Sequence, residues 1–176
     1  MNPQATAPLV VAAAGFLAVF VWRVRPLWPW RAENRELAHA LREVRTRITA
    51  ATDGAERAKA LCDAADLVGR RAAVVGGWSR AAALFGRALR TDPRSLAVVT
   101  RSIAGLSERP RELESLLWRH LSLTPWAEAP DAVRASLCAL RTIYEGPIRR
   151  TARAKALERA EEILRVHTEE KTGSVG

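Results

Sequence analysis

Apolar residues in this chain recur at steps of three and four, and that spacing leaves room for one fold class. Leu37, Leu41, Val44, Ile48 and Ala51 form one stripe, Leu61, Ala65, Val68, Ala72 and Val75 a second, and Val133, Leu137, Leu140 and Tyr144 a third. A helix brings such positions onto a single face, whereas a half-buried strand needs strict alternation, and no run of alternating segments occurs. The expected class is therefore all-α. Start and stop signals divide the pattern. Asp53-Gly54-Ala55-Glu56 reads as a capping box that opens a helix running to about Val75. Helices are then expected over Ser79 to Arg90 and Arg94 to Gly105, with Ser107 followed by Pro110 starting another. Pro130 opens the next, which Gly146-Pro147 ends. A last helix from Ile148 to Thr168 is expected to turn Ala156, Leu157, Ala160 and Leu164 inward.

The stretch Cys62 to Ser95, CDAADLVGRRAAVVGGWSRAAALFGRALRTDPRS, has the densest internal logic. Two antiparallel helices approach closely only where small side chains lie at the crossing, and Gly69, Ala81 and Ala88 are spaced to do that. Trp78, Phe85 and Leu89 are expected to fill the space between pairs, and Pro93 to start the next pair. These residues and spacings resemble the tetratricopeptide repeat (TPR) family. An offset of 32 residues carries Ala81, Phe85, Leu89 and Pro93 to Leu113, Leu117, Leu121 and Pro125, a degenerate second repeat. Leu113 and His120 stand where the family has small residues, so the helices of that unit should cross at a wider spacing.

Upstream, residues 3 to 22 carry no charged side chain, which is about 30 Å of helix. Arg23, Arg25 and Arg31 follow at once, with no basic segment before the apolar run and no small-residue cleavage site after it. These flanks predict an uncleaved single-pass anchor in the cytoplasmic (inner) membrane, N-terminus out and C-terminal body in the cytoplasm. Arg23 to Trp30 alternates prolines and tryptophans, read as a break in the helix that sets Trp22, Trp28 and Trp30 at headgroup depth. The expected division is a transmembrane helix over 1–24, a juxtamembrane collar and amphipathic helix over 25–52, a TPR-like antiparallel helical-repeat domain over 53–170, and a disordered tail over 171–176. The stripe from Leu37 to Ala51 packs on the repeat domain or, as the alternative, forms a short coiled coil that makes a homodimer.

Basic residues outnumber acidic ones by 28 to 19, almost all of them arginine. Glutamates lie one helical turn from the arginines of the densest basic run, Arg149, Arg150, Arg153, Lys155 and Arg159, and no aromatic residue is interleaved for base stacking, so nucleic acid is not expected as a partner. Cys62 and Cys138 sit in separate apolar patterns and read as buried free thiols. His39, His120 and His167 share no metal spacing. Gly77-Trp78-Ser79-Arg80-Ala81 has a passing likeness to a nucleophile elbow but lacks the strand that such an elbow needs. No catalytic, cofactor or metal residues are expected, and the chain is not read as an enzyme.

The TPR resemblance implies a binding scaffold whose first helices line a concave groove for a peptide or partner helix. Carried onto this sequence, the groove positions are Asp63, Asp66, Arg70 and Ala73, and the two aspartates favour a partner with basic character. With the anchor, the leading expectation is a membrane-anchored adaptor that holds a protein partner at the cytoplasmic face and touches lipid through its N-terminus. Two alternatives stay open: a periplasmic-facing assembly factor of the same fold, and a basic lipid- or nucleic-acid-binding helical protein.

Overall fold

A computed structural model describes residues 27–70 and 77–173, and every regular element among them is a helix. In chain order these are α1 (Leu27–Ala50), α2 (Gly54–Arg70), α3 (Gly77–Thr91), α4 (Leu96–Gly105), α5 (Pro110–Leu123), α6 (Pro130–Glu145) and α7 (Thr151–Gly173). The all-α expectation holds. The chain falls into two compact units, Met1–Ala40 and Leu41–Gly176, and the division lies within α1.

Expectations about both ends of the chain change. The cytoplasmic-membrane, single-pass placement is corrected, because among the described residues no helix is long and apolar enough to cross a membrane. Two of them, α1 and α7, have the length, but arginines and glutamates interrupt both. The apolar stretch Ala7 to Trp22 lies outside the described residues. The expected break at the Pro-Trp collar is also absent beyond Pro26: α1 begins at Leu27 and carries Pro29 in its first turn, where a missing N–H costs no intrahelical bond. At the other end, α7 continues to Gly173, into the segment expected as a tail.

Within residues 41–176 the helices form two layers. α2, α4 and α6 pack side by side in one, and α3 and α5 pack together in the other. α2 lies along α3 and α6 along α7, but α4 and α5 form no comparable pair. α3 is the element that touches α2, α4 and α5 alike. It does so through small residues and one large one. Ala81 and Ala88 are fully buried, Phe85 and Leu89 nearly so, and Gly86 faces α5 so closely that a Cβ there would sit 3.3 Å from Leu116 Cδ1. Burying Phe85 contributes about 1.5–3 kcal/mol.

Helix ends follow the sequence in part. Ser95 Oγ accepts from Val98 N–H at the start of α4. α5 starts at Pro110 with no side-chain cap, and the Ser107 hydroxyl donates to Ala104 O at the end of α4 instead. α6 stops at Gly146, yet the left-handed residue of this turn is Arg149 (φ 50). Backbone bonds from Ile148 N to Ile143 O and from Arg150 N to Tyr144 O satisfy the freed carbonyls there. On α1, Val44 and Ala51 are buried and Ile48 packs against the core, so this half of the stripe is used inside the chain. On α7 the inward face is Ala154, Leu157 and Leu164 with Ala160 half-buried, whereas Ala156 is exposed. Cys62 is buried, but Cys138 is exposed and not the buried thiol expected.

Two buried polar joints tie later helices to earlier ones. His120 Nε2 lies 2.8 Å from Pro93 O and its Nδ1 2.9 Å from Ser136 Oγ, linking α5 to the turn after α3 and to α6. A carbonyl can only accept, so Nε2 carries a proton, and the one proton of the Ser136 hydroxyl is shared between Nδ1 of the neutral ring and Ala132 O, 3.0 Å away. The Tyr144 hydroxyl donates to Glu114 and accepts from Trp118 Nε1 and Arg153 Nη1, joining α5, α6 and α7.

Gly105 is the position with no room for a side chain: a Cβ would lie 2.6 Å from Phe85 Cζ. Gly105→Ala should therefore cost about 1–3 kcal/mol in urea unfolding, and Phe85→Leu in the same chain should recover part of it by removing the ring edge. Gly69→Ala should be far milder, since its Cβ would meet Trp78 Cζ3 at 3.6 Å, an ordinary contact. A neutral Gly105→Ala would place Phe85 elsewhere.

His120 gives a pH prediction. Burial lowers its pKa below 6.5, only partly offset by the hydrogen bond to Pro93, so the folded chain holds it neutral where the unfolded chain takes up a proton. Stability from this residue is full above the unfolded value and falls as pH drops through 6.5, by up to about 1.4 kcal/mol per pH unit. Urea midpoints between about pH 7.5 and 5.5 should fall less in His120→Gln, whose amide can make both bonds without titrating.

Candidate partner-binding groove

The groove expected from the sequence lies between α2 and α4, where successive turns of α2 present Asp63, Asp66 and Arg70. The two carboxylates are not open to a partner. Arg101 reaches across from α4, its Nη2 2.7 Å from Asp63 Oδ1 and its Nε 2.7 Å from Asp66 Oδ2. From the other side Arg47 of α1 donates to Asp63 Oδ2 at 3.1 Å. Both aspartates are about three-quarters buried, so water and salt screen these contacts less than they would a surface pair. Burial alone would lower the Arg101 pKa, but its hydrogen bonds to Asp63 and Asp66 outweigh that and raise it. Behind them, burial pushes the Cys62 thiol up to about 11, despite the opposing pull of Arg101, so it stays protonated and inert. The preference for a basic partner loses its basis, because these acids already hold two guanidinium groups.

What remains open is smaller. A cleft of about 330 Å³ runs between α2 and α4, with Asp66, Gly69 and Arg70 on one wall and Arg101, Ala104 and Gly105 on the other. Trp78 closes it, and its indole N–H is buried without a hydrogen-bond partner among the described residues. Arg109 sits over the same ring, 5.2 Å from its centroid, which holds the indole plane in place. Arg70 is exposed at the rim. The cleft thus presents one unused donor and two guanidinium groups, a setting for an acceptor oxygen and not for an ammonium.

No family model matches the chain, and no curated protein and no solved structure matches it either.

Of the residues expected in the groove, Asp63, Asp66 and Arg70 come together on α2, while Ala73 lies outside the described residues. Of those expected to pack the repeat, Gly69, Ala81, Phe85, Ala88 and Leu89 are buried; Trp78 and Pro93 are half-buried. Arg101 was the residue missed. It lies 35 residues beyond Asp66, and no local pattern in the sequence connects the two. Gly105 was passed over because a glycine at a helix end reads as a stop signal first.

Arg101→Ala should destabilise the chain by about 1–2 kcal/mol, since it leaves two half-desolvated carboxylates facing each other, a cost moderated by the exposure of Arg101 itself. Arg101→Lys should recover only part, because an ammonium cannot fork between two acids. In urea unfolding the Arg101→Ala deficit should change as salt is raised; a deficit independent of salt would point to lost packing.

Proposed function

We propose that the chain is a TPR-like helical scaffold that holds a protein partner in the cleft between α2 and α4. The observation that carries this reading is the buried Trp78 indole N–H that lines the cleft and has no hydrogen-bond partner among the described residues. An unsatisfied buried donor costs about 1–3 kcal/mol, a cost that a bound acceptor would remove. Layered helices support the same reading: α2 and α4 lie side by side with α3 behind them, the arrangement in which a scaffold of this kind presents a groove. The occupant is a peptide segment that offers a backbone carbonyl or a carboxylate to Trp78, with Arg70 at the rim to steer it.

Affinity capture with the purified chain, compared with Arg70→Glu and Trp78→Phe, tests this. A partner held in the cleft should be retained by the parent chain, lost with Arg70→Glu, and bound about tenfold more weakly with Trp78→Phe, which keeps a ring but not the donor. Retention unchanged by both substitutions would remove the cleft from consideration.

A further inference from the structure

The last helical pair leaves a second cleft, on different helices from the groove. It has a volume of about 630 Å³ and runs between α6, which contributes Arg134 and Arg141, and α7, which contributes Lys155, Arg159 and Arg165. These five cations face three carboxylates, Glu158, Glu161 and Glu162. Arg165 binds Glu162 through two short contacts, 2.6 and 3.1 Å, and Arg141 holds Glu161 Oε2 at 3.3 Å. Lys155 and Arg159 have no ion-pair partner among the described residues, and Arg134 has only an exposed contact to Asp131.

The shape of the charge selects an occupant. Arg134 and Arg141 are two turns apart on α6, about 10 Å, and Lys155 to Arg165 spans about 15 Å on α7. Two rows of cations therefore flank a channel of a length that takes two to three helical turns. Lys155 and Arg159 are one turn apart, the spacing at which a facing helix presents carboxylates at i and i+4. Between the rows lies Glu161, whose Oε1 is buried and accepts no hydrogen bond among the described residues. A phosphodiester chain carries negative charge along its whole length and would set it against that oxygen, whereas a helix can place carboxylates opposite the cations and uncharged side chains opposite Glu161. Nor does any aromatic residue line the cleft for a base to stack on.

We infer that the α6–α7 cleft is a docking surface for an acidic helix of a partner protein, whose carboxylates meet Lys155, Arg159 and Arg134 and whose uncharged side chains lie opposite Glu161. Attraction of this kind acts mainly on encounter and on choice of partner, and it weakens with salt.

The test is fluorescence anisotropy with the purified 176-residue chain and a labelled helix-forming Glu/Ala peptide at low salt. Its Gln/Ala counterpart, phosphatidylserine vesicles and a single-stranded oligonucleotide serve as the other arms. The Glu/Ala peptide should bind and the Gln/Ala peptide should not. Lys155→Glu with Arg159→Glu should weaken binding by about tenfold or more with an unchanged circular dichroism spectrum, whereas Arg87→Glu, an exposed change on α3, should leave it within about twofold. The inference fails if the double reversal has no effect, if Arg87→Glu weakens binding equally, or if vesicles or oligonucleotide displace the peptide without the double reversal affecting them.

Discussion

Close approach of α3 to its neighbours is the constraint on which residues 41–176 depend. One helix must touch α2, α4 and α5 at once, and side chains of ordinary size on every face would hold those neighbours apart. Ala81, Gly86 and Ala88 shorten the distances, and Phe85 then fills what is left by lying against the bare backbone of Gly105. The contact is specific in both directions, since the ring needs the missing Cβ and the glycine needs the ring to cover it. Volume matching of this kind is what makes a core of alanines and leucines adopt one arrangement instead of several.

Polar side chains then fix the order of the outer helices. His120 is buried on α5, and its two ring nitrogens reach Pro93 in the turn after α3 and Ser136 on α6. Tyr144 does the same between α5 and α7, with its hydroxyl serving one acceptor and two donors. Both groups are fully or almost fully buried, so a displaced neighbour would leave them unpaired at a cost that apolar residues would not incur. Among these outer helices hydrogen bonding thus adds to shape in deciding how they are held.

Charge is distributed unevenly between the two clefts. In the α2–α4 groove the acids and guanidinium groups neutralise one another across helices, and what stays unsatisfied is a single neutral donor on Trp78. Beside α7, pairing is local and incomplete, so a positive excess is left facing outward. A total excess of basic residues therefore says little by itself about where a partner would bind. Carboxylates that look available along one helix are used by the next.

Residue spacing by itself determined the class of fold, most of the helix limits and the buried face of α3, because helical periodicity and the size of Ala81, Phe85, Ala88 and Leu89 are local properties of the chain. It also located Asp63 and Asp66 on one face of α2. What it could not supply was their partner, since Arg101 meets them only when α4 lies beside α2, and the same holds for the ring of Phe85 on Gly105 and for His120 between Pro93 and Ser136. The inward face of α7 was shifted for the same reason: on a polar helix with weak periodicity, it is the packing against α6 that selects Ala154 over Ala156. Local pattern fixes what each segment can become, and contacts between residues distant in sequence decide which of its groups remain free to act.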